Sequence, residues 1–227
     1  MLKEWNNMPE KMKNNSVRPY YHILYTKRKQ LAVKRIFDIY ASFFMLILLS
    51  PILLLVGILI KMDSKGPVFF RQIRVTQCGR KFRIFKFRTM VENADKLGSQ
   101  VTTSNDMRIT SIGSKIRKYR IDELPQLINV FIGDMTFVGT RPEVPKYVKE
   151  YTPSMLATLL LPAGITSRAS IEYREEEKLL RNAASADLVY VTEVLPEKME
   201  YNLKSLEDFN LWSDFVTMLK TAAAVIK

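Results

Sequence analysis

The chain has 227 residues, enough for one substantial domain with appendages but too few for two large independent cores. Lys and Arg number 35 against 23 Asp and Glu, a formal charge of +12 that points to anionic partners: nucleic acid, phospholipid or phosphorylated substrate. The single cysteine, Cys78, excludes an intramolecular disulfide and a thiolate-rich metal site, and the single histidine, His22, excludes His-based metal clusters and leaves no partner for a histidine-dependent catalytic triad.

The charge is uneven: residues 1–150 carry 27 Lys/Arg against 12 Asp/Glu, residues 151–227 only 8 against 11. Residues 1–33 read as a polar N-terminal tail with a short interfacial helix around Tyr20–Tyr25. Ile39 to Ile60 follows as 22 residues without a charge, long enough to cross a hydrocarbon core of about 30 Å. Two features argue against a plain span. Pro51 after Ser50 removes a backbone donor at mid-segment, and the 12 residues from Ile39 to Ser50 make only about 18 Å of helix. Basic residues also flank both ends (Lys34 and Arg35 before, Lys61 and Lys65 after), so the segment lacks the asymmetry that orients a crossing helix. A re-entrant helix-break-helix over residues 34–62, broken at Ser50-Pro51, satisfies both observations. A single kinked pass is the alternative.

Residues 63–227 read as a cytoplasmic catalytic domain. Val68–Arg74 and Phe82–Arg88 form a β-hairpin around Gly79-Arg80-Lys81, with Phe82, Ile84, Lys86 and Arg88 on one face. Helices are expected at 92–97 and 111–120, joined by a polar loop containing Thr102, Thr103, Asn105 and Asp106. Leu124, Leu127, Ile128 and Phe131 make one face of a further helix that starts near Asp122, because Pro125 belongs in a first turn, and stops near Gly133. Loops are expected at Gly133–Pro142 and Pro162–Thr166. The acidic run Glu175–Glu177 reads as a solvated face. A final helix carries an apolar stripe through Leu211, Trp212, Phe215, Val216, Leu219, Ala222, Ala223 and Ile226, read as core packing in preference to an interfacial face. The fold class is therefore α+β, mainly helical, with a membrane-embedded segment, a short hairpin and amphipathic helices.

Asp122 and Glu123 carry the chemistry. At a helix start, free N–H groups and the dipole keep a carboxylate ionised and favour phosphate nearby. Arg71–Arg88 contributes seven Lys/Arg and Arg108–Arg120 five, with no acidic residue in either stretch. Phosphoryl transfer needs positioning, cationic charge and commonly Mg²⁺, with no histidine. Aromatics interleaved with cations over Arg83–Arg88 leave a nucleic-acid-binding reading open, but the apolar segment and the lack of a recognition motif count against nucleic acid as a partner. A non-catalytic membrane scaffold is a third reading, which the resemblance below would set in a glycan assembly complex.

From Lys34 to Tyr151 the chain resembles the bacterial sugar transferase family, small monotopic phosphoglycosyl transferases. The likeness rests on Lys34-Arg35-Ile36-Phe37-Asp38, Ser50-Pro51, Gly66-Pro67-Val68-Phe69-Phe70-Arg71-Gln72 and Phe85-Lys86-Phe87-Arg88-Thr89-Met90. It continues in Asp122-Glu123-Leu124-Pro125-Gln126 and in Gly133-Asp134-Met135 through Gly139-Thr140-Arg141-Pro142. The resemblance implies an enzyme at the cytoplasmic face of the bacterial inner membrane. It would move a sugar 1-phosphate from a UDP-sugar to polyprenyl (undecaprenyl) phosphate, release UMP, and meet phospholipid and downstream glycosyltransferases as partners. It implies Asp122 as the nucleophile forming a covalent sugar-phosphate and Glu123, with Asp122, as a Mg²⁺ ligand. Arg117 and Arg141 are implied as phosphate binders, Arg74, Lys86 and Arg88 more loosely, with Asp214 approaching from the last helix. Thr76 and Thr140 depart from the family pattern, as does Ser167-Arg168-Ala169-Ser170-Ile171, where the donor's identity would be read.

Overall fold

A computed structural model describes residues 1–94, 106–173 and 186–226 of the chain. Residues 95–97 of the expected 92–97 helix, the loop residues Thr102, Thr103 and Asn105, and the Glu175–Glu177 run lie outside the described residues.

The N-terminal residues do not trail as a tail. Short 3₁₀ turns lead into α1 (Arg18–Thr26), which carries the expected Tyr20–Tyr25 segment. Met8, Met12, Val17, Tyr21 and Leu24 are buried in the largest apolar cluster, against Val75, Leu156, Leu160, Leu206 and Phe209. Their spacing is hidden among polar residues, so the segment reads as solvated until its partners from the far end of the chain are in place.

Helix α2 (Arg28–Asp63) runs 36 residues with Pro51 inside it. Its backbone stays helical through the proline, where the expected helix-break-helix would be interrupted; the Ser50 hydroxyl donates to Ile47 O at 2.8 Å, one turn back. It is the one helix among the described residues long and apolar enough to cross a membrane, and only 11% of its most apolar window is buried, unlike a soluble core helix. Both its ends are fastened to the same domain. At the start, the Arg35 guanidinium donates to Val130 O (2.8 Å) and Phe131 O (3.0 Å) at the end of α4 (Gln126–Ile132). At the finish, Val56 and Ile60 pack on Phe87 and Ile116, and the Asp63 carboxylate accepts from Ile112 N (3.1 Å) in the first turn of α3 (Ser111–Lys118).

The hairpin forms in two pieces. β1 (Phe69–Phe70) pairs with β4 (Lys86–Phe87) and β2 (Ile73–Val75) with β3 (Lys81–Arg83), both antiparallel. Between the pieces, Asn129 of α4 accepts from Phe85 N (2.8 Å) and donates to Arg83 O (3.1 Å), replacing ladder bonds. The strand is thereby stitched to the helix that follows the carboxylate pair.

The two segments expected as loops form a parallel pair, β5 (Met135–Val138) with β6 (Ala163–Thr166). A Cβ on Gly164 would meet Gly139 N at 2.2 Å, so only glycine permits this approach. Thr76, 1% exposed, donates to Asp134 O (2.7 Å) and accepts from Ala163 N (3.1 Å), tying the hairpin to both strands. Each strand has four residues, too few for a period-2 signal, and their partners lie far apart in sequence. Among the described residues the remaining α-helices are α5 (Pro145–Val148), α6 (Arg168–Glu172), α7 (Ala186–Val189), α8 (Leu195–Glu207) and α9 (Leu211–Ile226). In α9 the expected packing stripe faces outward: Trp212, Phe215 and Leu219 are 71%, 44% and 56% exposed, while Thr217 is buried. The face that packs on α6 and β5 is polar and small, which a count of apolar residues misassigns.

Candidate active site

Asp122 and Glu123 do not open an α-helix. They sit in a 3₁₀ turn, Ile121–Glu123, entered through Arg120 in the left-handed region (φ 54°), and α4 begins only at Gln126 with Pro125 as its N-cap. The buried face of α4 is Gln126, Leu127, Asn129 and Val130, with Phe131 40% exposed, so the helix is rotated from the expected apolar face. The turn brings both carboxylates inward, each 8% exposed.

Glu123 is enclosed by cations. Arg141 holds it with two bonds, Nη2 to Oε1 at 2.6 Å and Nη1 to Oε2 at 3.2 Å, while Lys86 Nζ donates to Oε1 at 2.9 Å. Arg120 stands 3.7 Å away. Burial works against ionisation of Glu123, but Arg141 and Lys86 outweigh it and hold the carboxyl well below the usual carboxylate range. Burial likewise pushes the Lys86 ammonium below its ordinary value, with Glu123 opposing the fall.

Asp122 is the opposite case. Its Oδ1 is buried without a hydrogen-bond partner. Burial raises its carboxyl above the ordinary aspartate value, Lys86 opposes the rise, and the neighbouring Glu123 charge adds to it. A carboxylate with a raised pKa and an unpartnered oxygen is more basic than the helix-start placement suggested, and buried unpaired polar atoms are rare enough in native proteins to call for a reason.

The expected site residues divide accordingly. Asp122, Glu123, Lys86 and Arg141 come together, and Arg117 shares their cleft and acts on the Asp122 charge. Arg74 lines the same cleft, with Nη1 donating to Pro142 O at 3.1 Å and Nε buried without a partner. Arg88 also borders it, but its guanidinium closes the end of α2 by donating to Ser64 O (2.7 Å), Lys65 O and, more distantly, Ile60 O (3.4 Å). Arg88 thus caps unpaired helix carbonyls while its Nε stays buried without a partner at the cleft. Asp214 does not line the cleft; it pairs with Lys34 of α2 at 2.6 Å. Arg120 was missed, although its adjacency to the pair was a usable signal. Also missed was a buried group beyond Arg141, where Tyr190 donates to Glu143 (2.6 Å) and Lys198 to Tyr190 (3.1 Å). Residues 143 and 198 carry no local pattern that joins them.

No cluster of three or more His, Cys, Asp or Glu able to hold a metal occurs among the described residues. A protein-only cage is therefore not what this donor set offers. Two adjacent carboxylates, one with a free buried oxygen, do suit Mg²⁺, which takes one or two carboxylates and completes its shell from substrate phosphates and water.

The profile of a family described as bacterial sugar transferase matches residues 29–227. The chain is 36% identical over 197 residues to a UDP-N-acetylgalactosamine-undecaprenyl-phosphate N-acetylgalactosaminephosphotransferase of Aeromonas hydrophila, covering 86% of this chain and 44% of that protein. It is 36% identical over 200 residues to a UDP-glucose:undecaprenyl-phosphate glucose-1-phosphate transferase of Klebsiella pneumoniae, covering 84% of this chain and 40% of that protein. The chain thus spans less than half the length of these two relatives. It matches 84% of the exopolysaccharide production protein ExoY of Sinorhizobium fredii, at 32% identity over 207 residues.

Proposed function

Because the chain belongs to the bacterial sugar transferase family, we propose that it transfers a sugar 1-phosphate from a UDP-sugar to undecaprenyl phosphate with release of UMP. The observation that carries the reading is the division of labour in the carboxylate pair: Glu123 clamped by Arg141 and Lys86, Asp122 left with an open, basic oxygen in a cleft bordered by arginines.

In the first step an Asp122 oxygen attacks the β-phosphorus of the donor. The bond from that phosphorus to the bridging oxygen breaks, and UMP leaves with the electron pair. In the second step a phosphate oxygen of the lipid attacks the same phosphorus, the aspartyl–phosphorus bond breaks, and Asp122 is regenerated beside a lipid diphosphate sugar. Arg141, Lys86 and Arg117 neutralise the phosphate charge through both steps. Were Mg²⁺ to bind, Asp122 and Glu123 would be the residues to hold it, and it would supply further neutralisation of the diphosphate.

For placement, the attachment of both ends of α2 to one domain supports a helix that dips into the bilayer from one side. The proposed donor adds the side: nucleotide sugars are made in the cytoplasm, so the reading takes the site to the cytoplasmic face of the inner membrane. The outward Trp212, Phe215 and Leu219 of α9 suit a headgroup-level contact with phospholipid. The lipid product calls for downstream glycosyltransferases to extend it.

The decisive experiment quenches the protein with a panel of UDP-sugars and no lipid acceptor, then maps adducts by mass spectrometry. One donor should leave a sugar-phosphate on Asp122 with stoichiometric UMP, and adding undecaprenyl phosphate should discharge it. UMP release on every turnover with no adduct at residue 122 would sink the covalent route.

A further inference from the structure

The cleft is larger than one reaction centre requires. Its volume is 1820 Å³, against roughly 300–1,000 Å³ for a site filled by a compact small molecule. Its lining also changes character along its length. Around Asp122 stand Lys86, Arg117 and Arg141, whereas another stretch of wall is formed by Phe37, Ala41, Met45 and Leu49 of α2. Those four recur every fourth residue, so they share one helix face over about 18 Å. Leu124 and Leu127, just beyond Asp122, line the same cleft and give its two parts a common apolar border. On the opposite face at the same level Ile47 is 58% exposed, against 37% for Met45 in the stripe.

We propose that this α2 stripe seats the polyisoprenoid chain of the acceptor, with the phosphate end directed to the cations around Asp122. The assignment rests on the transferase reading above and adds where the lipid lies. One continuous cleft joins a basic end to an apolar wall, which matches an amphiphile with an anionic head and a hydrocarbon body. The head favours a phosphate monoester over a phospholipid, because a monoester offers nearly two negative charges to the arginines and a phosphodiester only one. The apolar wall belongs to the helix that meets the bilayer, so a chain dissolved in the membrane reaches Asp122 by sliding along α2 without leaving hydrocarbon.

The test uses the full chain in phosphatidylglycerol nanodiscs containing undecaprenyl phosphate, with benzoylphenylalanine at position 45 or, on the opposite face, at position 47. Irradiation should attach undecaprenyl phosphate at 45 with about tenfold preference over 47. Equal labelling, or phosphatidylglycerol adducts at 45 that undecaprenyl phosphate does not displace, would overturn the assignment. Independently, Ala41→Trp should raise KM for undecaprenyl phosphate about five times more than KM for geranyl phosphate, whose short chain does not need the stripe. Equal increases for the two acceptors would overturn it as well. Selective labelling at 45 in a protein that releases no UMP from any UDP-sugar would sustain the lipid seat and remove the reaction. UMP release with unselective labelling would do the reverse.

Discussion

Two buried polar clusters in this molecule use the same residue types to different ends. Where α2 meets the domain, Asp38 is fully buried and accepts from Thr136 (2.6 Å) and Phe137 N (3.4 Å), while Lys34 donates to Asp214 at 2.6 Å. Neither aspartate there leaves a buried oxygen without a partner. At the turn holding residues 121–123 the counterpart cluster satisfies Glu123 several times over and leaves Asp122 Oδ1 with nothing. A fully paired cluster fixes geometry; a cluster with one open acceptor keeps a group available for chemistry. The first anchors α2; the second leaves free the oxygen that the proposed transfer needs.

The sharpest way to break this contrast is Asp122→Asn. The amide cannot form the acyl phosphate, so UMP release should fall by about 10⁴-fold, near 5.4 kcal/mol of barrier, with thermal unfolding of the protein in nanodiscs no lower than wild type. Turnover within tenfold of wild type would contradict the open-acceptor reading. In the anchoring cluster the penalty should appear in stability. Lys34→Met leaves Asp214 without its cation and should cost about 3–5 kcal/mol, read by thermal unfolding. The folded fraction should keep its activity, and a collapse of activity without loss of stability would merge the two clusters into one.

Arg141→Lys gives a smaller effect on the catalytic side. It replaces a two-bond clamp on Glu123 with a point charge and should lower kcat/KM by about 1.5–3 kcal/mol, some 10–150-fold, in UMP-release kinetics. The finest test is the pH profile of Glu123→Gln. Removing the Glu123 charge takes away a repulsion that raises the Asp122 carboxyl and leaves Lys86 free to favour its ionised form. The acid limb of kcat/KM should therefore move to lower pH; an upward shift would reverse the assigned cause. Stability should follow the opposing signs of the two groups. Glu123, held below its ordinary value, stabilises the fold above the usual carboxylate range and loses that contribution as pH falls through its depressed value. Asp122, raised, costs stability near neutrality and gives it back as it takes up a proton.

Much of the site was legible because its parts are short and chemically marked. Asp122-Glu123 directly after an acid-free basic stretch, the uncharged run from Ile39 to Ile60 and the hairpin around residue 79 each lie within about two dozen residues, the range over which local pattern speaks. Arg88 and Asp214 have structural partners that the sequence does not announce, for one shared reason. A charged residue in a cationic or apolar neighbourhood reads as a ligand contact, and nothing local reveals that Arg88 closes a helix end or that Asp214 meets Lys34 across 180 residues of chain.

By itself, the order of residues determined a cation-rich chain with an adjacent carboxylate pair and a run apolar enough to cross a membrane, because composition and periodicity are properties of the chain. Tertiary structure alone decided the rest: which of two adjacent carboxylates is clamped, that residues 135–138 and 163–166 pair as strands, and that the outward face of α9 is its aromatic one. Each of those outcomes depends on desolvation and on partners brought from distant segments, and neither exists until the chain has closed on itself.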